Sequence, residues 1–246
     1  MKLYLHIEPY QTQVLFQEIY NMQSFLRVKL KILEYIKSCW HGNVSREKPF
    51  LCVDSDLDRV FLVNKNGRKV FSFSFGFNLK LKEFDLKQEG NAVVRVGYKN
   101  RSDEITDKMV SDSLAILSEL EQREDNIYWN LDISEDIADE VGVESIRLFE
   151  YVMMQEAGYI RYDDAPQDEK LPFHPRFHFD VNYSSTANYK LGLGKEMVLD
   201  DMLYMLTPNT KCPYLQIKHT EYDSNSNQEI QHRFIRNKKK RKSSQQ

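Results

Sequence analysis

A strict alternation of apolar and polar side chains runs from Phe71 to Lys82 and constrains the fold more than any other feature of the chain. The apolar members are Phe71, Phe73, Phe75, Phe77, Leu79 and Leu81. Side chains two apart in a strand share a face, so this segment predicts a strand with one buried aromatic face and one solvated face. Other elements must cover the apolar face.

Further strands are expected beside this segment. The dipeptide Asn66-Gly67 accepts the positive φ values of a tight hairpin turn, so strands near 59–64 and 69–82 should pair antiparallel. Apolar runs at 50–53 and 92–96 add a strand on either side. The whole stretch is therefore expected to form a four-stranded antiparallel meander.

Two amphipathic helices are predicted around the meander. Between residues 11 and 40 apolar residues recur at steps of three and four, which predicts one long helix whose opposite face, including Lys29 and Lys31, is solvated. A second stripe predicts a helix from 102 or 103 to about 123. Helices over a one-faced antiparallel sheet are typical of an α+β fold.

A short pattern follows between residues 133 and 160. Ile137-Ala138 is followed by Gly142, by an apolar second helix and by Ala157-Gly158. A small alanine lets two helices approach, Gly142 allows the turn, and Gly158 ends the second helix. The pattern resembles a winged helix-turn-helix, which implies a helical reader of nucleic acid. The segment has seven acids and one base, however, so we expect it to pack within the chain or to dock on a protein partner.

The chemically most suggestive segment is a predicted C-terminal hairpin. Alternation over 177–183 and again over 189–193 indicates two paired strands, with His178 and Asp180 on one face and Lys190 beside them. Imidazole, carboxylate and ammonium groups together can bind a metal, an anion or a phosphodiester, with His178 as a general base. The alternative is that a solvated strand face is simply polar.

Two other features near the hairpin complete this region. His174, His178 and Cys212 are a second candidate set, for zinc, which lacks a fourth ligand at a familiar spacing. The polar stretch 162–172 is interpreted as a linker or exposed loop. A short helix over 197–206 and a strand over 212–217 are expected to end the structured part.

Positive charge is concentrated at the end of the chain. The bases there are Arg233, Arg236, Lys238, Lys239, Lys240, Arg241 and Lys242, with no acid among them. Without these seven, 27 of the 34 Lys and Arg remain against 37 Asp and Glu. The rest of the chain therefore has a formal net charge of −10. The tail is expected to be disordered in isolation and to contact nucleic acid; the alternative is a solubilising tail folded back on the acidic body.

Common catalytic signatures are missing. The chain has no Gly-x-x-x-x-Gly-Lys-Ser/Thr loop, no Gly-x-Gly-x-x-Gly, no Gly-x-Ser-x-Gly and no His-Glu-x-x-His. No cofactor is therefore expected, and the sequence leaves open whether the protein is an enzyme.

Targeting features are missing as well. No apolar run approaches the roughly 20 residues that span a bilayer, and there is no signal-peptide core, so we expect a cytoplasmic protein without membrane contact. The run Lys-Lys-Lys-Arg-Lys resembles a nuclear localisation signal, which would apply in a eukaryotic cell. The widely spaced Cys39, Cys52 and Cys212 predict free thiols.

Four segments and two functional hypotheses follow from these patterns. The segments are a helix, meander and helix unit at 1–126, the winged-helix-like segment at 127–165, a hairpin, helix and strand unit at 166–222, and the basic tail at 223–246. The first hypothesis is a non-catalytic binding or assembly subunit with protein partners and a tail that contacts nucleic acid. The second is a metal-dependent nuclease-like toxin or phage-defence effector. Convergence of the candidate residues His178, Asp180 and Lys190 in a concave pocket favours the second, whereas an open flat face favours the first.

Overall fold

The structure is a computed structural model that describes residues 2–38, 44–45, 47–82, 93–122, 140–171, 173–183, 189–208 and 210. The predicted tail and the predicted strand at 212–217 lie outside the described residues. Residues 1–208 form one compact unit. Five helices occur in the described part of the chain: α1 (Pro9–Leu15), α2 (Met22–Ser38), α3 (Asp107–Gln122), α4 (Val143–Met154) and α5 (Leu199–Leu206).

Two antiparallel sheets account for the described strands. These are β1 (Lys2–His6), β2 (Phe50–Asp54), β3 (Arg59–Val63), β4 (Lys69–Ser74), β5 (Phe77–Lys82), β6 (Val93–Tyr98), β7 (Ile160–Asp164), β8 (Phe177–Val181) and β9 (Tyr189–Gly192). The larger sheet has the order β1-β2-β3-β4-β7-β8-β9, and β5 pairs with β6 in the smaller one. The fold is α+β, as the patterning predicts. Strands from the segments 1–126, 127–165 and 166–222 share the larger sheet.

The larger sheet has an apolar cluster on each face. On one face, Leu51, Leu62 and Phe71 belong to a cluster with residues of α2, α3 and α4. On the other face, Phe61 and Tyr162 belong to a cluster with residues of α5. Both faces of the sheet therefore exclude water along much of its width, and the polar residues Asp54, Ser72, Asp163, His178 and Asp180 on its strands are buried.

The alternating segment forms two strands where one was predicted. β4 ends at Ser74, and β5 begins at Phe77 and joins the other sheet. The backbone N–H of Ser74 donates to the carbonyl of Ala157, and that of Phe75 donates to the carbonyl of Asp58. Because these backbone groups bond to other segments, β4 ends here and the chain leaves the larger sheet. Phe75 and Phe77 are nevertheless both buried. The apolar pattern therefore continues across the break, and the meander has three strands.

The helix predicted over 11–40 is likewise divided. α1 ends at Leu15, and α2 begins at Met22 after Asn21, whose side-chain oxygen accepts the N–H of Ser24 at 2.9 Å. This contact is an N-cap, which satisfies a backbone donor that the first turn leaves free. Lys29, predicted on the solvated face, is buried, because it lies one turn from both Phe25 and Leu33 on the covered side of α2.

Two segments without a strand prediction enter the larger sheet. β1 pairs with β2 at one edge. β7 lies between β4 and β8, although its last three residues fall in the stretch interpreted as a linker. Tyr162 in β7 is buried, and Asp163 and Asp164 form ion pairs. The linker interpretation is therefore wrong for 162–164, because the two acids are paired with Arg161 and Arg176 within the sheet.

The winged-helix-like segment is described only from residue 140. α4 begins after Gly142, which has a φ of 82°, and the chain leaves it through Gly158 into β7. Leu148, Phe149 and Val152 on α4 are buried in the core that contains α3. The resemblance itself stays a prediction, since residues 133–139 lie outside the described part. No helix among the described residues has both the length and the apolar content to cross a bilayer.

Candidate metal centre

Two rows of side chains cross β4, β7, β8 and β9 on the face that packs against α2. Pairing aligns Lys69, Asp163, His178 and Gly192 in one row, and Phe71, Arg161, Asp180 and Lys190 in the next. Directly opposed residues and residues two apart share a face, so six polar side chains meet there. On β3 and β2 the second row continues as Leu62 and Leu51. The same face thus changes from apolar to charged at β7.

The predicted residues His178, Asp180 and Lys190 come together in this cluster. Lys190, predicted beside the other two on the paired strand, lies opposite Asp180, and its Nζ is 2.6 Å from Asp180 Oδ1. His178 and Asp180 are each only 1% exposed. The expectation of an open, solvated strand face is therefore wrong for these two residues. The side chains of Arg161, His174 and Lys190 contact them and help to exclude water.

Arg161 connects the two carboxylates of the cluster. Its Nε donates to Asp163 Oδ2 at 2.7 Å, and its Nη2 donates to Asp180 Oδ2. The Arg161 side chain is 16% exposed, so these contacts form with little access to water. Charge-assisted pairs of this kind are the strong hydrogen bonds of a buried site. With Lys190 and Lys69, the cluster has three cations for two carboxylates.

The hydrogen bonds of His178 define its tautomer. Nδ1 lies 2.8 Å from the carbonyl oxygen of Pro175, which can only accept, so Nδ1 carries a proton. Burial lowers the pKa of His178, and the positive charge of Lys190 lowers it further. The ring is accordingly neutral at pH 7, and its Nε2 lone pair accepts from Lys190 Nζ at 3.1 Å.

Asp163, His178 and Asp180 have the geometry of a metal ligand set. One ligand atom from each lies within 4.8 Å of the others, and Nε2 of His178 is 3.6 Å from Asp163 Oδ2 and 3.9 Å from Asp180 Oδ2. Ligands bound about 2.1 Å from one ion can lie up to about 4.2 Å apart, so these two spacings suit a shared ion. The bond from Nδ1 to a backbone carbonyl is the usual outer support of a metal-binding histidine.

A second observation also points to a ligand at this position. The Oδ1 atom of Asp163 is buried and accepts no hydrogen bond among the described residues. Lys69 Nζ lies 3.7 Å from it, beyond hydrogen-bond distance. A buried carboxylate oxygen without a donor is costly, and a cation at the cluster would satisfy it.

The other candidates take no part in this ligand set. The His174 ring packs edge-on against His178 at 4.6 Å between centroids, but His174 is not a member of the group. Cys212 and the seven basic residues of the tail lie outside the described residues. Asp163 and Arg161 were missed, and the signal that could have found them is the alternation of Ile160, Arg161, Tyr162 and Asp163.

Comparisons with known proteins supply no relative. A scan against protein-family models gives no match, and neither the search of curated proteins nor the search of solved structures gives a match. The chemistry of the cluster is therefore argued from its own atoms. Two carboxylates and a neutral imidazole suit a divalent ion, and Arg161 and Lys190 suit an anion beside it.

Proposed function

We propose that Asp163, His178 and Asp180 bind a divalent cation and that the site hydrolyses a phosphodiester. The observation that carries the proposal is the convergence of three ligand atoms within 4.8 Å, one of them an imidazole nitrogen whose lone pair is oriented into the cluster. A bound divalent ion lowers the pKa of its water and polarises a phosphoryl oxygen. That is the chemistry that hydrolysis of an anionic ester needs.

Two cations beside the ligand set support an anionic substrate. Arg161 contacts both carboxylates, and Lys190 contacts Asp180 and His178. Groups that stabilise the negative charge of a phosphoryl transition state are typically Arg, Lys and metal ions held in place before the reaction. Arg161 held on the two carboxylates, and Lys190 released from them by a metal, would serve that purpose.

Nucleic acid is the substrate class that the rest of the chain favours. Seven basic residues and no acidic residue lie between 233 and 242, whereas the rest of the chain has a formal net charge of −10. Phosphate neutralisation supplies most non-specific affinity for nucleic acid, so this tail would concentrate such a substrate near an otherwise acidic protein. A nuclease-like toxin or defence effector in the cytoplasm is the corresponding biological proposal.

A non-catalytic assembly subunit is the second candidate. The same tail supports it, since nucleic-acid contact needs no catalysis, and the acidic winged-helix-like segment supports a protein partner. This candidate requires the tail and not the cluster. Binding of an oligonucleotide at two salt concentrations, with and without residues 233–246, tests it; unchanged affinity after truncation contradicts it.

Cleavage of labelled oligonucleotides tests the first proposal. Single-stranded DNA, duplex DNA and RNA are incubated with the full chain and Mg²⁺ or Mn²⁺. We expect cleavage by the wild type and at least a hundredfold loss in His178→Ala and Asp180→Asn, because each removes one of three ligands. Absence of cleavage by the wild type under all conditions contradicts the proposal, as does full activity of either variant.

Asp164→Asn is the matched control. Asp164 adjoins Asp163 on β7 but points to the opposite face, where it pairs with Arg176 at 2.7 Å. Its side chain is as buried as those of the ligand set. Activity should therefore survive this change. A loss equal to that of Asp180→Asn would show that the assay reports only the folding of the sheet.

A further inference from the structure

Lys190 contacts two of the three residues that would bind the proposed metal. Its Nζ lies 3.1 Å from His178 Nε2 and 2.6 Å from Asp180 Oδ1, which are atoms of two of the three ligand residues. An ammonium is only a donor, so it takes the Nε2 lone pair that a metal ion requires. We infer that Lys190 and a divalent cation compete for one position, and that Lys190 therefore sets the metal affinity of the site. This inference rests on the proposed metal centre.

The charges of the cluster make simultaneous occupation unfavourable. Asp163 and Asp180 balance Arg161 and Lys190 while His178 is neutral, and Lys69 adds a further positive charge 3.7 Å from Asp163. A divalent ion added to this set would leave three uncompensated positive charges in a largely buried site. Uncompensated charge is strongly disfavoured there, since water cannot screen it. Withdrawal of the ammonium removes one of those charges and frees both ligand atoms.

Lys190, rather than Arg161, is the cation that can withdraw. Its side chain is 33% exposed, and β9 is the last strand of the described sheet. A lysine carries its charge on a flexible four-carbon stem, so the ammonium can reach water without a change in the backbone. Arg161 is more buried and bridges both carboxylates, which keeps it in place.

Manganese binding by the full chain tests this competition. The free Mn²⁺ signal in electron paramagnetic resonance gives the dissociation constant of the wild type, Lys190→Met, Lys190→Arg and Asp163→Asn. We expect Lys190→Met to bind at least tenfold more tightly, which corresponds to about 1.4 kcal/mol. Lys190→Arg keeps the positive charge and should bind as weakly as the wild type. Asp163→Asn should bind more weakly than the wild type.

The outcomes separate the two proposals. Equal affinities of wild type and Lys190→Met, with a loss in Asp163→Asn, would overturn the competition and leave the metal centre intact. Weaker binding by Lys190→Met would overturn it as well. Absence of binding in the wild type and in Lys190→Met would overturn the metal centre, and the inference with it.

A measurement on the wild type covers the case in which Lys190→Met does not fold. An amine-acylating reagent is applied with and without Mn²⁺, and labelling of Lys190 is measured by peptide mass spectrometry against Lys31. Lys31 is a similarly exposed lysine in an ion pair with Glu34, far from the cluster in sequence. We expect Mn²⁺ to raise the labelling of Lys190 severalfold relative to Lys31. Unchanged labelling at saturating Mn²⁺ would overturn the inference.

Discussion

Lys29 gives the protein a dependence of stability on pH that can be calculated from its surroundings. It is 1% exposed on α2, donates to Gln155 Oε1 at 2.8 Å and lies 5.0 Å from the centroid of the Phe25 ring. No carboxylate in the described part of the chain is within ion-pair distance of its Nζ. Burial lowers the pKa of Lys29 from 10.5 to about 7, because the charged form loses its hydration.

The lowered pKa destabilises the folded protein at low pH. The unfolded chain binds the proton of Lys29 more tightly, so the penalty is complete below pH 7 and disappears as the pH rises towards 10.5. At 1.36 kcal/mol per pKa unit the complete penalty is roughly 5 kcal/mol. Integration between pH 6 and pH 9 gives a gain in stability of roughly 3 kcal/mol from this one group.

The variant Lys29→Met isolates this contribution. Methionine has no charge to bury, so the difference in unfolding free energy between variant and wild type should fall by roughly 3 kcal/mol from pH 6 to pH 9. The acceptor of Gln155 loses its donor, which costs about 1 to 3 kcal/mol equally at both pH values. Urea unfolding followed by circular dichroism at each pH measures the difference. Lys31→Met, on the same helix but more exposed, is the control for loss of a positive charge. A difference that is the same at pH 6 and pH 9 would refute the reasoning.

Two further predictions concern local structure and use urea unfolding at pH 7. Asn21→Ala should lower the free energy of unfolding by about 1 kcal/mol, because the N–H of Ser24 loses the side-chain acceptor that caps α2; an unchanged midpoint would contradict this role. Gly192→Ala should lower it by about 1 to 3 kcal/mol, because a Cβ at Gly192 would lie 2.9 Å from Pro175 Cγ. An unchanged free energy of unfolding in Gly192→Ala would show that the Pro175 ring moves aside at no cost and would contradict this prediction.

The C-terminal hairpin could be predicted because its polar and apolar residues alternate over both strands. Alternation places His178 and Asp180 on one face, and pairing places Lys190 opposite Asp180. Their burial could not be predicted in the same way. It depends on β4, β7 and the helices that cover the sheet, and those neighbours are distant in sequence.

Two of the remaining differences have a common physical cause, which is that polar residues can be buried when they are paired. Arg161 pairs with Asp163, and Arg176 pairs with Asp164, so a strand of the larger sheet has the composition of a loop. Lys29 donates to the side-chain amide of Gln155, has no carboxylate partner among the described residues, and still lies inside the core. The break after Ser74 leaves no trace in the apolar pattern, since backbone hydrogen bonds to Asp58 and Ala157 produce it.

The central claim is that Asp163, His178 and Asp180 form a divalent-metal site. Anomalous X-ray diffraction from crystals of the full chain soaked in Mn²⁺ tests it most directly. The account predicts a manganese peak at about 2.0 to 2.3 Å from His178 Nε2 and from a carboxylate oxygen of each aspartate, with the Lys190 ammonium displaced. A map without a peak at that position, with Lys190 still hydrogen-bonded to His178, would contradict it.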